Sequence, residues 1–316
     1  MASEFELIRK YFDRPVRSVQ DGSRAASAVV LGVGDDAALL QPAAGMELAV
    51  STDLLLEGRH FRAGADARKL GHKALAVNLS DMAAMGAAPR WATLALALPA
   101  ADEAWLDGFA KGFFALAQRF GVELIGGDTT RAPASGPLSV CITILGEVPS
   151  GLALYRAGAL PGDDIWVSGE LGGAALGLAQ PSNDAAARRL DEPEPRVELG
   201  ERLRGLATAA IDVSDGFAQD LGHILERSGV GAVVDYARLP AFPGADANQV
   251  LGGGDDYELV FTARQERRAE LEALARELKL ALARVGSIQK GEPALQVLDA
   301  GRRAMPLARG FDHFAP

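Results

Sequence analysis

Carboxylates gather in short polar turns along this chain: Gly34-Asp35-Asp36, Ser51-Thr52-Asp53, Asp81, Gly126-Gly127-Asp128, Asp212 with Asp215, and Gly254-Asp255-Asp256. Grouped anions repel one another unless cations sit between them. Oxygen donors of this kind suit a hard divalent ion, and Mg²⁺ completes its octahedron with water and phosphate rather than with an all-protein cage. Magnesium carrying a polyphosphate is the chemistry these turns fit. Glycine beside aspartate also lets backbone amides approach a ligand. Ser51 and Thr52 add oxygens to the set, and Thr129 and Thr130 add donors for phosphate. In Asp212-Val213-Ser214-Asp215-Gly216, alternation along an emerging strand turns Asp212 and Ser214 one way, and a helix begins at Asp215. A carboxylate there is ordinary capping; with Mg²⁺ the place becomes a phosphate site built from metal and helix dipole.

Other phosphate-handling signatures are missing. There is no G-x-x-x-x-G-K-[ST] loop, no H-R-D and no D-F-G. With only six lysines in the chain, metals, backbone amides and arginines such as Arg156 must hold a polyphosphate. His60 reads from its surroundings as a polar loop residue, and no second histidine stands at zinc spacing. Cys141, the sole cysteine, lies in an apolar run and reads as a packed thiol, so disulfides and thiolate metal sites are excluded.

The elements that must position these turns follow from apolar spacing. Asp66 to Met85 reads as a helix placing Asn78 and Asp81 on one face, with Pro89 ending it. Asp102 caps a helix whose Trp105, Phe109, Phe113, Leu116 and Phe120 form a core stripe. Strands are expected at 91–98, 138–146, 164–168, 209–213, 231–234 and 259–262, and helices at 215–226 and 264–280. Gly172 and Gly173 loosen the chain after 168, and 181–195 reads as an exposed, proline-rich arm. The pattern is α+β, with helices over one face of a largely antiparallel sheet.

At 316 residues the chain exceeds one comfortable core, so two domains are expected, 1–148 and 149–316. A formal net charge of −10 argues against nucleic acid as partner, since that needs a basic footprint. No signal-like start and no apolar run of membrane-spanning length occurs, so the expectation is a cytoplasmic protein with no membrane partner.

In order, Gly34-Asp35-Asp36-Ala37-Ala38, the run from Ser51 to Phe61, the run from Val77 to Ala87, Gly126-Gly127-Asp128-Thr129, Arg156-Ala157-Gly158-Ala159, Asp212-Val213-Ser214-Asp215-Gly216 and Gly253-Gly254-Asp255-Asp256-Tyr257-Glu258-Leu259 resemble the thiamine-monophosphate kinase family. That family belongs to the aminoimidazole-ribonucleotide-synthetase-like superfamily. The resemblance implies a two-domain α+β fold, an N-terminal sheet forming a barrel with its dimer mate, ATP as co-substrate and several Mg²⁺ ions. It implies metal binding by Asp35, Ser51, Thr52, Asp53, Asp81, Asp128, Asp212 and Asp215. Gly127, Asp128, Arg156 and Ser214 become nucleotide contacts, together with Phe109, which stands where the family often has tyrosine. His60, Glu258 and Phe311 become substrate contacts, with Phe314 a rival for the last.

The implied reaction is direct in-line transfer of the ATP γ-phosphoryl group to thiamine monophosphate, with no general base. Rival readings are another ATP-using member of the superfamily, such as selenophosphate synthetase, or a binding module. The first lacks its N-terminal cysteine here; the second would not need every acidic turn.

Overall fold

The computed structural model describes residues 4–13, 29–31, 33, 37–133, 136–307 and 310. Its chain divides into two units, Met1–Leu79 with Ala88–Ser150, and Ser80–Ala87 with Gly151–Pro316. In the first unit α1 (Glu4–Tyr11), β1 (Val29–Leu31) and β2 (Leu39–Leu40) precede β3 (Met46–Leu56), α2 (Ala67–Ala84), β4 (Ala88–Leu98), α3 (Glu103–Phe120), β5 (Glu123–Arg131) and β6 (Ser139–Pro149). The main sheet runs β3-β6-β4-β5. β6 is antiparallel to both neighbours, whereas β4 and β5, joined through α3, are parallel as a helical crossover requires.

The helices form where the caps and apolar spacing direct. The Asp102 carboxylate accepts from the amides of Ala104 and Trp105, and Leu106, Phe109 and Phe113 have no exposed surface. Phe109 stacks between Trp105 and Phe113, so the aromatic stripe is core packing. The Lys69 N–H donates to Asp66 at the start of α2, which buries Leu70, Leu75 and Leu79. Gly86, rather than Pro89, ends α2: at φ +64° its N–H reaches Ala83 O while Ala87 N–H reaches Met82 O, a Schellman turn. Pro89 lies inside β4, next to a register shift in the pairing with β6.

The expected barrel is not formed. The first-unit sheet is open, with β3 and β5 each paired on one side only, and no described sheet closes on itself. Four twisted strands whose outer members do not pair leave two edges rather than a ring.

The second unit holds β7 (Asp164–Ser168), α4 (Gly173–Ala179), α5 (Asp184–Asp191), α6 (Val197–Leu203), β8 (Ala207–Asp212), α7 (Phe217–Ser228), β9 (Gly231–Asp235), α8 (Ala247–Gly252), β10 (Leu259–Ala263), α9 (Arg268–Leu278), β11 (Leu282–Gln289) and β12 (Leu295–Leu298). Its sheet runs β12-β9-β11-β7-β10-β8, antiparallel except for β12 with β9. Ile165, Ile211, Phe217, Leu221, Val260 and Val285 lie in one buried cluster between sheet and helices.

Two expectations change here. Gly172 and Gly173 do not loosen the chain but start α4, and the 181–195 stretch is not a free arm. Asn183 caps α5 by accepting from Ala186 N–H, and Ala186 is wholly buried. Arg189 within the stretch and Arg196 directly after it both reach a buried carboxylate.

Candidate active site

β8 delivers Asp212 to the end of the second-unit sheet, 3% exposed, where the Ser80 hydroxyl donates to its Oδ2 at 2.7 Å. Ser80 immediately precedes Asp81, so the last turn of α2 brings that partly exposed carboxylate to the same end of the unit. Past Asp212 the chain is fastened to the glycine-rich loop before β10. Asp255 N–H donates to Ser214 O, Tyr257 N–H to Val213 O and Val213 N–H to Glu258 O, each within 2.9 Å. A Cβ on Gly254 would lie 2.4 Å from Ser214 O, which is why glycine stands there.

Strain collects beside this junction. Asp255 and Tyr257 both hold positive φ, at +66° and +51°, and the Tyr257 hydroxyl donates to Asp255 at 2.9 Å. Non-glycine residues in this conformation persist only where surroundings over-determine them, as at binding sites.

Ser214 and Asp215 remain partly exposed on a loop whose amides are already engaged. Ser214, Asp215 and Gly216 N–H all donate to a single oxygen of Asp220, at 3.1, 3.1 and 3.0 Å. Burial, then the Asp215 charge, pushes the Asp220 carboxyl up to about 7 against the pull of those amides. The expected phosphate site of metal plus helix dipole therefore has no amide to offer at this loop. Sequence reasoning passed over Asp220 and Ser80. A carboxylate five residues after Asp215, in the first turns of a helix, was the available signal for the first.

Arg156 is exposed on a loop held by Ser228, whose hydroxyl accepts from Gly158 and Ala159 N–H at 3.1 and 3.2 Å. Glu258, expected at the substrate, is fully buried and saturated: Arg196 meets both its oxygens at 2.6 Å, Arg189 donates at 2.8 Å and Ser168 at 2.6 Å.

In the first unit Ser51 and Asp53 are partly buried on β3, while Thr52 faces the other way and shares a 2.8 Å hydrogen bond with Thr143. Gly127 and Asp128 are exposed on β5. Asp53 pairs with Ile142, Ile142 with Leu94 and Leu94 with Gly127, so Asp53 and Asp128 occupy opposite edges of one sheet. His60 sits in a tight turn after β3, where its Nδ1 accepts from Leu56 N–H at 3.0 Å. Phe109 is sealed in the core and presents nothing to a nucleotide in this conformation. Asp35, Phe311 and Phe314 lie outside the described residues.

Among the described residues no three carboxylate, histidine or cysteine groups converge as a metal cage. The donors on offer are nonetheless all oxygen, which is the set Mg²⁺ takes when one or two carboxylates share it with phosphate.

Two family models match the chain: AIR synthase related protein, N-terminal domain, over residues 34–148, and AIR synthase related protein, C-terminal domain, over residues 160–297. The thiamine-monophosphate kinase of Salmonella typhimurium is 44% identical over 333 aligned positions, covering 99% of this chain and 98% of its own. The crystal structure of thiamine-monophosphate kinase from Stenotrophomonas maltophilia K279a gives a TM-score of 0.80 at 47% identity, over 88% of this chain and 92% of that one. AaThiL complexed with AMPPCP and TMP gives 0.75 at 28% identity, over 87% and 89%.

Proposed function

The chain belongs to the thiamine-monophosphate kinase family of AIR-synthase-related proteins, and from that membership we infer that it phosphorylates thiamine monophosphate to thiamine diphosphate with ATP. It is a phosphotransferase whose acceptor is itself a phosphate. The observation that carries this conclusion is likeness along the whole chain to kinases of that name, one relative being solved with TMP and AMPPCP, an analogue of ATP.

The acceptor phosphate has a second pKa of about 6 and is largely a dianion at neutral pH. Its oxygen needs no base to become nucleophilic. What the protein must supply is alignment and charge neutralisation. The all-oxygen donors support several Mg²⁺ ions, held by Asp53 and Asp128 with Ser51 and Asp35 in the first unit, where Thr52, its hydroxyl turned to Thr143, has only its backbone carbonyl to add, and by Asp81, Asp212 and Asp215 in the second. Such ions, when bound, offset repulsion between donor and acceptor phosphates. Ser214 offers a hydroxyl, Gly127 a backbone amide and Arg156 an exposed guanidinium to the nucleotide. His60 offers its Nε2–H to the acceptor. Transfer is direct; trapping a phosphoaspartate in a single turnover would overturn that.

The partners are ATP and thiamine monophosphate, with the acidic net charge favouring metal-held small anions over nucleic acid. Exposed Met46, Leu48, Val50 and Leu54 on edge strand β3 support a homodimer, because an apolar edge left bare invites association. No helix among the described residues is long and apolar enough to cross a membrane; the use of ATP supports a cytoplasmic place.

The deciding assay is incubation of purified protein with Mg·ATP and thiamine monophosphate, with products identified by mass. Thiamine diphosphate and ADP in equal amounts are expected. ADP without thiamine diphosphate, or no reaction, would refute the assignment.

A further inference from the structure

We propose that Asp220 is the positioning residue of the Ser214–Gly216 loop, its carboxylate occupying the ring of backbone amides that an external phosphate would otherwise fill. The inference rests on the kinase assignment for the identity of the ligand, and on this geometry for everything else.

Three successive amides aimed at one point form a concavity that binds an anionic oxygen. Here they follow a strand and open a helix, so the dipole of α7 adds to their pull. Asp220 lies four positions into that helix, is 2% exposed and places Oδ2 within 3.1 Å of all three nitrogens. The concavity is thus filled from inside. Its opposite edge is fastened as well, because Ser214 O accepts from Asp255 N–H and Val213 O from Tyr257 N–H.

With both edges held, the loop has one way to meet a phosphorylated ligand: through the Ser214 hydroxyl and the Asp215 carboxylate, which stay partly exposed. An amide-lined loop would take phosphate without metal; this one turns acidic and hydroxyl oxygens outward and so makes phosphate recognition depend on a cation. Ordinary helix capping would account for one amide, not for three consecutive ones in the very segment that carries the outward groups.

The test is calorimetric titration of Mg²⁺ into protein with AMPPCP, which needs no turnover, alongside thermal melting of the same proteins. Asp220→Ala should raise the half-saturating Mg²⁺ concentration by roughly 10- to 100-fold, the usual loss when a group orienting a ligand residue is removed. Asp220→Asn keeps an acceptor oxygen in the same place and should restore most of that affinity. Folded Asp220→Ala with wild-type Mg²⁺ dependence would overturn the proposal. So would Asp220→Asn that is folded but as impaired as Ala, since charge rather than position would then be at work. If Asp220→Ala does not fold, Asp220→Glu takes its place: its acceptor is carried one methylene further from the three amides, so the same weakening of Mg²⁺ binding is expected, and a folded Asp220→Glu with wild-type Mg²⁺ dependence would overturn the proposal. Failure of the wild type to make thiamine diphosphate would count against the kinase assignment and leave this binding result standing.

Discussion

Glu258 and Arg196 form a two-pronged ion pair, Nε to Oε2 and an Nη to Oε1, both at 2.6 Å, around a carboxylate with no exposed surface. Burial works to raise the Glu258 pKa, but the hydrogen bonds and charges of Arg196, then Arg189 and Ser168, hold it below the ordinary carboxylate range. The group is therefore charged, and its compensation comes from a segment lying 62 and 69 residues earlier in the chain. Contact with substrate would require breaking one of these bonds.

Arg196→Met should accordingly destabilise the protein by about 3–5 kcal/mol, the cost of leaving a buried charge without its partner. Arg189→Met, which removes a single hydrogen bond to Glu258, should cost less. Denaturant unfolding of both variants measures this. Equal, small losses would mean that water reaches the carboxylate and that Glu258 is open to a ligand.

Asp256 gives a pH signature. Its oxygens accept from Gly172 and Ala174 N–H, yet burial pushes the carboxyl up to about 7, outweighing those amides and the Arg189 charge, with Glu258 adding to the rise. A folded value above the unfolded one, 3.8 for the free group, means the folded chain keeps a proton that the unfolded chain releases. The stability from this group is full below about pH 4 and lost as pH climbs to about 7. Asp256→Asn cannot titrate. The wild-type minus variant unfolding free energy should fall across that window by a few kcal/mol, on the order of 4 at full shift. A flat difference would refute it.

Local chemistry was legible in the sequence and long-range pairing was not. Asp102 and the three-and-four spacing of Trp105, Phe109, Phe113 and Leu116 specify α3 without outside help, and β7 spans the apolar run Asp164–Ser168 as expected. Pro89 misled because a glycine three residues earlier had already turned the backbone. The 181–195 stretch reads as free because its prolines are visible and Glu258, the partner of Arg189 and of Arg196 directly after the stretch, is far along the chain. The acidic turns were found as carboxylates, but the groups that hold their loops, Ser80 and Asp220, became visible only once the amides and hydroxyls had to be assigned partners.

The ladder through Ile142, Leu94 and Gly127 places three strand spacings, about 14 Å, between the strands of Asp53 and Asp128. A Mg²⁺ ion with bonds of about 2.1 Å is not shared over that span. Asp53→Asn and Asp128→Asn should each raise the Mg²⁺ needed for half-maximal turnover, with thermal stability nearly unchanged. In the double variant the two effects should add in free energy to within about 0.5 kcal/mol. Coupling well beyond that would show that one ion or one ligand ties the two edges together.

His60 accepts the Leu56 N–H on Nδ1, so the neutral ring carries its proton on Nε2, and the turn is closed by Gly58 N–H to Phe61 O at 2.8 Å. Two replacements separate the ring's two duties. His60→Asn keeps an acceptor where Nδ1 stood and deletes the Nε2 donor; His60→Gln does the reverse, reaching the Nε2 position without serving Leu56. If the donor meets the acceptor substrate, the asparagine variant should raise KM for thiamine monophosphate by about tenfold, as loss of one hydrogen bond to a charged group would, and leave KM for ATP near its original value. The glutamine variant should keep that KM lower while losing some thermal stability from the unserved amide. Steady-state kinetics with each substrate varied in turn decides it. Parallel rises in both KM values for the asparagine variant would make His60 a shaper of the turn after β3 rather than a contact to the acceptor.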